Sequence, residues 1–189
     1  RSGGPFAPFD ADIELKVQVA DTDGVVYGGN PAKFGDASAG NGIDFDNGKE
    51  IRFGRLATYD AHGSELRDLA LPIAVEYYED LGGGNMAFTV NTADVCTTLG
   101  TGAFTLQDFS GGLASGETSV IGVSLSAGRG TATLAAPGSG NDGSVDLTTD
   151  LVTGGLPWLL YDWDGDGNPD NDPTAHATFG IYGGAQQHV

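Results

Sequence analysis

No stretch of this 189-residue chain holds a helical period, and its apolar runs are short and cut by glycine. That pattern leaves strands as the main way to build a core. Residues 12–19, DIELKVQV, alternate strictly, with Ile13, Leu15, Val17 and Val19 on one side and Asp12, Glu14, Lys16 and Gln18 on the other. A period of two marks a half-buried strand, so the four apolar residues are expected inside. ADTDG follows as a turn. Further strand candidates are EIRFGRLATY, PIAVEYY, MAFTVNT, AFTLQDF, TSVIGVSLSA, GTATLAA, GSVDLTTDL, PWLLYDW and ATFGIYG. The segments between them, GGNPAKFGDASAGNG, AHGSELRD, EDLGGGN, APGSGNDG and an aspartate-rich loop, are rich in turn formers. The 32 glycines follow no fixed period, which excludes a collagen-like chain and fits many tight turns. The expectation is all-β: one antiparallel β-sandwich or barrel-like domain of roughly ten short strands, spanning residues 12–189. Residues 1–11 are read as a linker or trimmed segment, because RSGGPFAPF looks like the interior of a longer polypeptide.

Charge narrows the partners. Twenty-six Asp and Glu against eight Lys and Arg give a formal charge of −18. Phosphate binding needs basic clusters and none is present, so a nucleic-acid partner is not expected, and anionic membrane surfaces are disfavoured for the same reason. No apolar run approaches the ~20 residues of a spanning helix, so membrane insertion is not expected either. What the composition does supply is oxygen ligands for hard divalent cations.

Those oxygens concentrate in YDWDGDGNPDNDP, residues 161–173. Asp162, Asp164, Asp166 and Gly167 match the D-x-D-x-D-G start of a calcium loop, in which alternate carboxylates converge while glycine permits the sharp turn. Asn168 takes the place that offers a backbone carbonyl, Asp170 the ninth place, and Asp172 falls one short of the twelfth. Pro173 stands where the bidentate Glu belongs, and the flanks read as strands, so the motif is a calcium loop between strands rather than an EF-hand. The expected cofactor is a structural calcium held by Asp162, Asp164, Asp166, Asn168, Asp170 and Asp172. The plainer alternative is a turn capped by its own side chains, with the charges solvated.

Other signals are weaker. Asp21 with Asp23, Asp44 with Asp46, and Asp142 with Asp146 are acidic pairs, read either as a second cation site or, more simply, as strand-face or turn acids that need no ion. Glu76 and Glu79 have the residue types of a glycosidase pair, but an exposed strand edge is the simpler reading. His62, His176 and His188 lack zinc spacing, and Ser64 and Ser110 lack a nucleophile-elbow context. Trp158, Tyr161, Trp163 and Tyr182 crowd the aspartate loop, either as core packing or as a sugar-stacking platform. Trp163, at the second loop place, is expected to point away from the cation and pack beneath the loop. Cys96, the single cysteine, is read either as pairing outside this chain or as an inert thiol buried in a strand.

Five phrases in order carry a family resemblance: IRFGRL at 51–56, AHGSEL at 61–66, NTADVCTTL at 91–99, APGSGNDGSVDL at 136–147 and PWLLYDWDGDGNPDNDPTAHATFGIYGG at 157–184. From about Asp12 onward the chain resembles the C-terminal domain of MSHA-type pilus biogenesis proteins of the MshQ kind, a domain of unknown function. The resemblance implies a bacterial cell-surface or extracellular setting in a large multidomain protein associated with a type IV pilus. In that family another strand follows the FGIY segment, and a basic residue often stands where Gly183 is found. The stop at Val189 therefore predicts an open sheet edge that pairs with a neighbouring copy or a pilus or surface-assembly protein. Two classes of function follow: a non-enzymatic structural or adhesive surface module, and a calcium-dependent, lectin-like carbohydrate-binding domain with a glycan ligand. No arrangement of acid, base or nucleophile supports an enzyme.

Overall fold

The computed structural model describes residues 4–10, 13–18, 21–25, 28–35 and 50–180. The chain divides into two compact units, one formed by residues 7–53 and the other by residues 54–189 with residues 1–6. In the smaller unit β1 (Leu15–Val17) pairs antiparallel with β2 (Ala32–Phe34), Leu15 opposite Phe34. Here the expected burial fails. Ile13, Leu15 and Val17 are 41%, 46% and 38% exposed, and Val19 lies outside the described residues. Alternation creates an apolar face, but burial needs a second layer against it. Three-residue strands in a two-stranded ribbon lack one among the described residues of this unit.

The larger unit is a two-sheet sandwich. Its strands are β3 (Gly54–Thr58), β4 (Ala61–Gly63), β5 (Leu69–Asp80), β6 (Met86–Val90), β7 (Phe104–Gly111), β8 (Val120–Ser126), β9 (Arg129–Leu134), β10 (Gly143–Thr149) and β11 (Thr174–Phe179). One sheet runs β3-β5-β9-β8 with β6 also on β5; the other runs β4-β11-β10-β7. All pairings are antiparallel except β4 with β11. Among the described residues the only helical pieces are single 3-10 turns, at Thr101–Ala103 and Pro157–Leu159. The all-β expectation holds, and the sandwich is the form it takes.

The core follows from alternation. Leu69, Leu71 and Ile73 of β5 and Ala132 and Leu134 of β9 face Val145 and Leu147 of β10 and Ala175, Ala177 and Phe179 of β11. Burying one such Leu or Ile side chain stabilises the fold by about 1.5–3 kcal/mol. A second cluster joins Leu56 and Val75 to Leu151, Leu156 and Leu159. It corrects the strand expected at PWLLYDW: Pro157 opens a 3-10 turn, and the buried Leu156 and Leu159 repeat every three residues instead of every two. GGNPAKFGDASAGNG and AHGSELRD, read as turns, contain β2 and β4, each too short to show a period.

Central strand β5 changes partners at Val75. Residues 69–74 pair with β9 and residues 76–80 with β6. At the junction the Val75 N–H donates to the Gly128 carbonyl at 2.9 Å, and the Val75 carbonyl accepts from Asn91 N–H at 2.8 Å. Ala127 and Gly128 form the two-residue β8–β9 turn with φ of 49° and 71°, the left-handed pair that matches hairpin twist. A Cβ on Gly128 would lie 2.4 Å from the Asn91 carbonyl oxygen. Gly128→Ala should therefore lower the unfolding free energy by about 1–3 kcal/mol, read from the urea midpoint; an unchanged midpoint would contradict this junction.

Candidate functional site

The 3-10 turn at Pro157–Leu159 delivers the chain to Tyr161, which closes an eleven-residue span by a bridge to Asn171. Tyr161 and Asn171 exchange backbone bonds of 3.3 and 3.1 Å. Inside the span Gly165 and Gly167 take φ of 77° and 92°, the left-handed values that turn the chain back sharply. The carboxylates of Asp162, Asp164 and Asp166 then converge, one oxygen from each lying within 4.8 Å of the others. This cluster could hold a metal ion.

The loop's own donors satisfy part of this charge. Asp162 Oδ2 accepts from Gly167 N–H at 2.9 Å, Asp164 Oδ1 from Asp166 N–H at 3.2 Å, and Asp166 Oδ1 from Asn168 N–H at 2.7 Å. Asp162 Oδ1 is shut off from solvent and has no hydrogen-bond partner. The other sequence candidates are used differently. The Asn168 amide donates to Asp166 Oδ2, and the Asn168 carbonyl accepts from Asp170 N–H at 3.0 Å. Asp172 turns away, its Oδ1 accepting from Leu151 N–H at 2.9 Å, and Asp170 does not join the converging trio. Asn171 acts where the pattern named no ligand: its Oδ1 accepts from Trp163 N–H at 3.0 Å and its Nδ2 donates to Asp164 Oδ2 at 3.3 Å.

Beneath the loop lies a group that sequence reasoning missed. Arg55 of β3 and Glu76 of β5 are opposite in register and joined by bonds of 2.7 and 2.8 Å. The Arg55 guanidinium sits 3.7 Å from the Phe88 ring centroid, 4.7 Å from Trp163 and 4.9 Å from Tyr161. Trp163 therefore packs on the sheet through Arg55 and edge-on to Tyr161, while staying 42% exposed. Glu76, 6% exposed on a central strand, is no exposed edge residue. Its Oε1 accepts from the Tyr59 hydroxyl at 2.5 Å. Glu79 instead accepts from Tyr77 and Thr89, so the two glutamates serve separate networks. The available signal was Arg55 itself, one of only eight cations, on a strand facing a glutamate strand.

The remaining candidates scatter. Asp146 pairs with His176 Nδ1 at 2.5 Å on the outer face of the second sheet, and the Asp21 and Asp23 carboxylates cap their own turn. Asp44, Asp46, Tyr182 and His188 lie outside the described residues. Cys96 is exposed in the loop after β6, not buried in a strand.

The family model described as DUF6701, fourth domain, matches residues 52–189. The chain belongs to the DUF6701 family. No curated protein and no solved structure matches it. The DUF6701 match takes in the aspartate loop together with Arg55, Tyr59, Glu76 and Phe88, so the candidate site and its anchor lie inside one family domain.

Removing Arg55 leaves the buried Glu76 carboxylate unpaired. Arg55→Met should cost about 3–5 kcal/mol of stability, and adding Glu76→Gln should recover part of it. Full additivity of the two losses would show that they do not interact. Tyr59 gives a second check, because burial first, then the bond to Glu76 and its charge, push the phenol up to about 12. The folded value exceeds the unfolded one near ~10, so this stabilisation is complete below pH ~10 and is lost as pH rises towards 12. The part of the tyrosine absorbance titration nearest pH 12 should be lost in Tyr59→Phe; its persistence would assign that part elsewhere.

Proposed function

We propose that this domain is a non-enzymatic extracellular module of a bacterial surface protein, with structural or adhesive duty, in which calcium staples the aspartate loop. The observation that carries the reading is the trio Asp162, Asp164 and Asp166, with Asp162 Oδ1 buried and lacking any partner. An oxygen-only donor set on a glycine-hinged loop suits calcium, which accepts flexible oxygen coordination. The Asn168 carbonyl and Asp170 stand close in sequence as further oxygens. The family description as a fourth domain supports a place among several domains in a longer protein, and the motif resemblance to MSHA-type pilus proteins supports a pilus-associated setting. Pilus or surface-assembly proteins are the partners this reading names.

Without a bidentate Glu at the twelfth place, the affinity falls in the extracellular-module range of roughly 10⁻⁴ to 10⁻³ M. At millimolar calcium, roughly one to ten times that Kd, binding stabilises the native state by mass action, by about 0.4–1.4 kcal/mol. The melting temperature should rise between chelator and millimolar calcium, and Asp164→Ala should remove the rise. An equal melting temperature in both conditions would defeat the calcium reading.

A further inference from the structure

The outer face of the β3-β5-β9 sheet carries a cavity of about 370 Å³, remote in residue content from the aspartate loop. Its origin is a contrast in side-chain size. Pro72 and Ala74 on β5 form a low floor, flanked by Tyr59 and Asp60 at the end of β3 and by Arg129 at the start of β9. Register holds the walls apart: Ala74 is opposite Arg129, and Tyr59 N–H donates to the Pro72 carbonyl at 3.0 Å. Val90 closes one end.

The walls have definite chemistry. Among the described residues Arg129 makes no ion pair, so its guanidinium is a fork of donors open to a ligand in a chain of charge −18. Asp60 is held by His176 N–H on Oδ1 at 2.7 Å, which leaves Oδ2 to accept. Tyr59 is fixed by its bond to Glu76, which Arg55 fixes in turn, so its ring is a prepositioned wall. A guanidinium selects a planar carboxylate, and a single carboxylate oxygen opposite it accepts from hydroxyls. The ring of Tyr59 with Pro72, Ala74 and Val90 offers an apolar surface to C–H groups. A dianionic phosphate would meet Asp60 as well as the chain's negative field.

We propose that this cavity binds an acidic sugar, a hydroxylated ring bearing one carboxylate, with Arg129 on the carboxylate, Asp60 on the hydroxyls and Tyr59 against the ring. The volume lies within the ~300–1,000 Å³ of small-ligand sites. No residue of the aspartate loop lines it, so the site stands independently of the calcium reading.

The test is titration of the full 189-residue chain with D-glucuronate, followed by backbone amide shifts, with D-glucose and the peptide Ala-Ala-Ala as comparisons. Glucuronate should shift Tyr59, Ala74, Arg129 and Thr131, equally in calcium and in chelator. Affinity should fall by about tenfold or more, some 1.4 kcal/mol, for glucose or for Arg129→Ala. Arg129 is exposed beside a turn, so this variant retains the fold, and Arg129→Lys should keep part of the affinity. Five results would overturn the assignment: no shifts in the millimolar range, shifts elsewhere, equal binding of glucose, full binding by Arg129→Ala, or preference for the peptide.

Discussion

A carboxylate buried on the outer face of a sheet has to be neutralised, and in this fold Glu76 organises what surrounds it. Desolvating such an ion costs several kcal/mol before any partner is counted. Arg55 meets it from the neighbouring strand in register, and Tyr59 takes the second oxygen. The guanidinium's flat faces would otherwise remain open; Phe88, Tyr161 and Trp163 surround it. One ion pair thus gathers β3, β5, β6 and the start of the aspartate loop. It does so next to Val75, where β5 passes from one partner strand to another and the ladder is most easily disturbed.

The same anchor explains the division of labour along the aspartate loop. A loop of like charges needs fixed ends before its carboxylates can share a space. Trp163 on Arg55 and the Tyr161–Asn171 bridge fix the entry, while Asn171 ties the backbone of Trp163 to Asp164. Asp172 fixes the exit by capping Leu151, whose side chain belongs to the second core cluster. Of six residues that spacing alone nominates as ligands, three converge and one serves as an anchor. A linear motif cannot distinguish these duties, because both use the same side-chain chemistry.

How far the sequence reveals the structure depends on where burial originates. GSVDLTTDL was legible because β10 lies between two strands and under a second sheet, so alternation and burial coincide at Val145, Leu147 and Thr149. DIELKVQV has an equally clear alternation, yet Leu15 and Val17 stay exposed. Periodicity reports which side chains share a face; it carries no information on what covers that face. The aspartate trio was legible from spacing because i, i+2 and i+4 carboxylates on a glycine-hinged loop are brought together locally. Arg55 with Glu76 was not, since their meeting depends on the register of strands 21 residues apart in sequence.

The energetics of the loop set what a cation there can mean. Two unit charges about 4 Å apart repel by about 1 kcal/mol in bulk water, which suits the exposed Asp164 and Asp166, and by more where Asp162 is partly buried. Backbone donors at Gly167, Asp166 and Asn168 already offset part of that. The sandwich core contains no loop residue and does not depend on closing the loop. Neutralising the trio therefore adds to a fold that stands on its leucines, unlike small domains that are unfolded without their metal. Weak cation binding would match that need: strong enough to hold the loop on its Arg55 anchor, and too weak to act as the core.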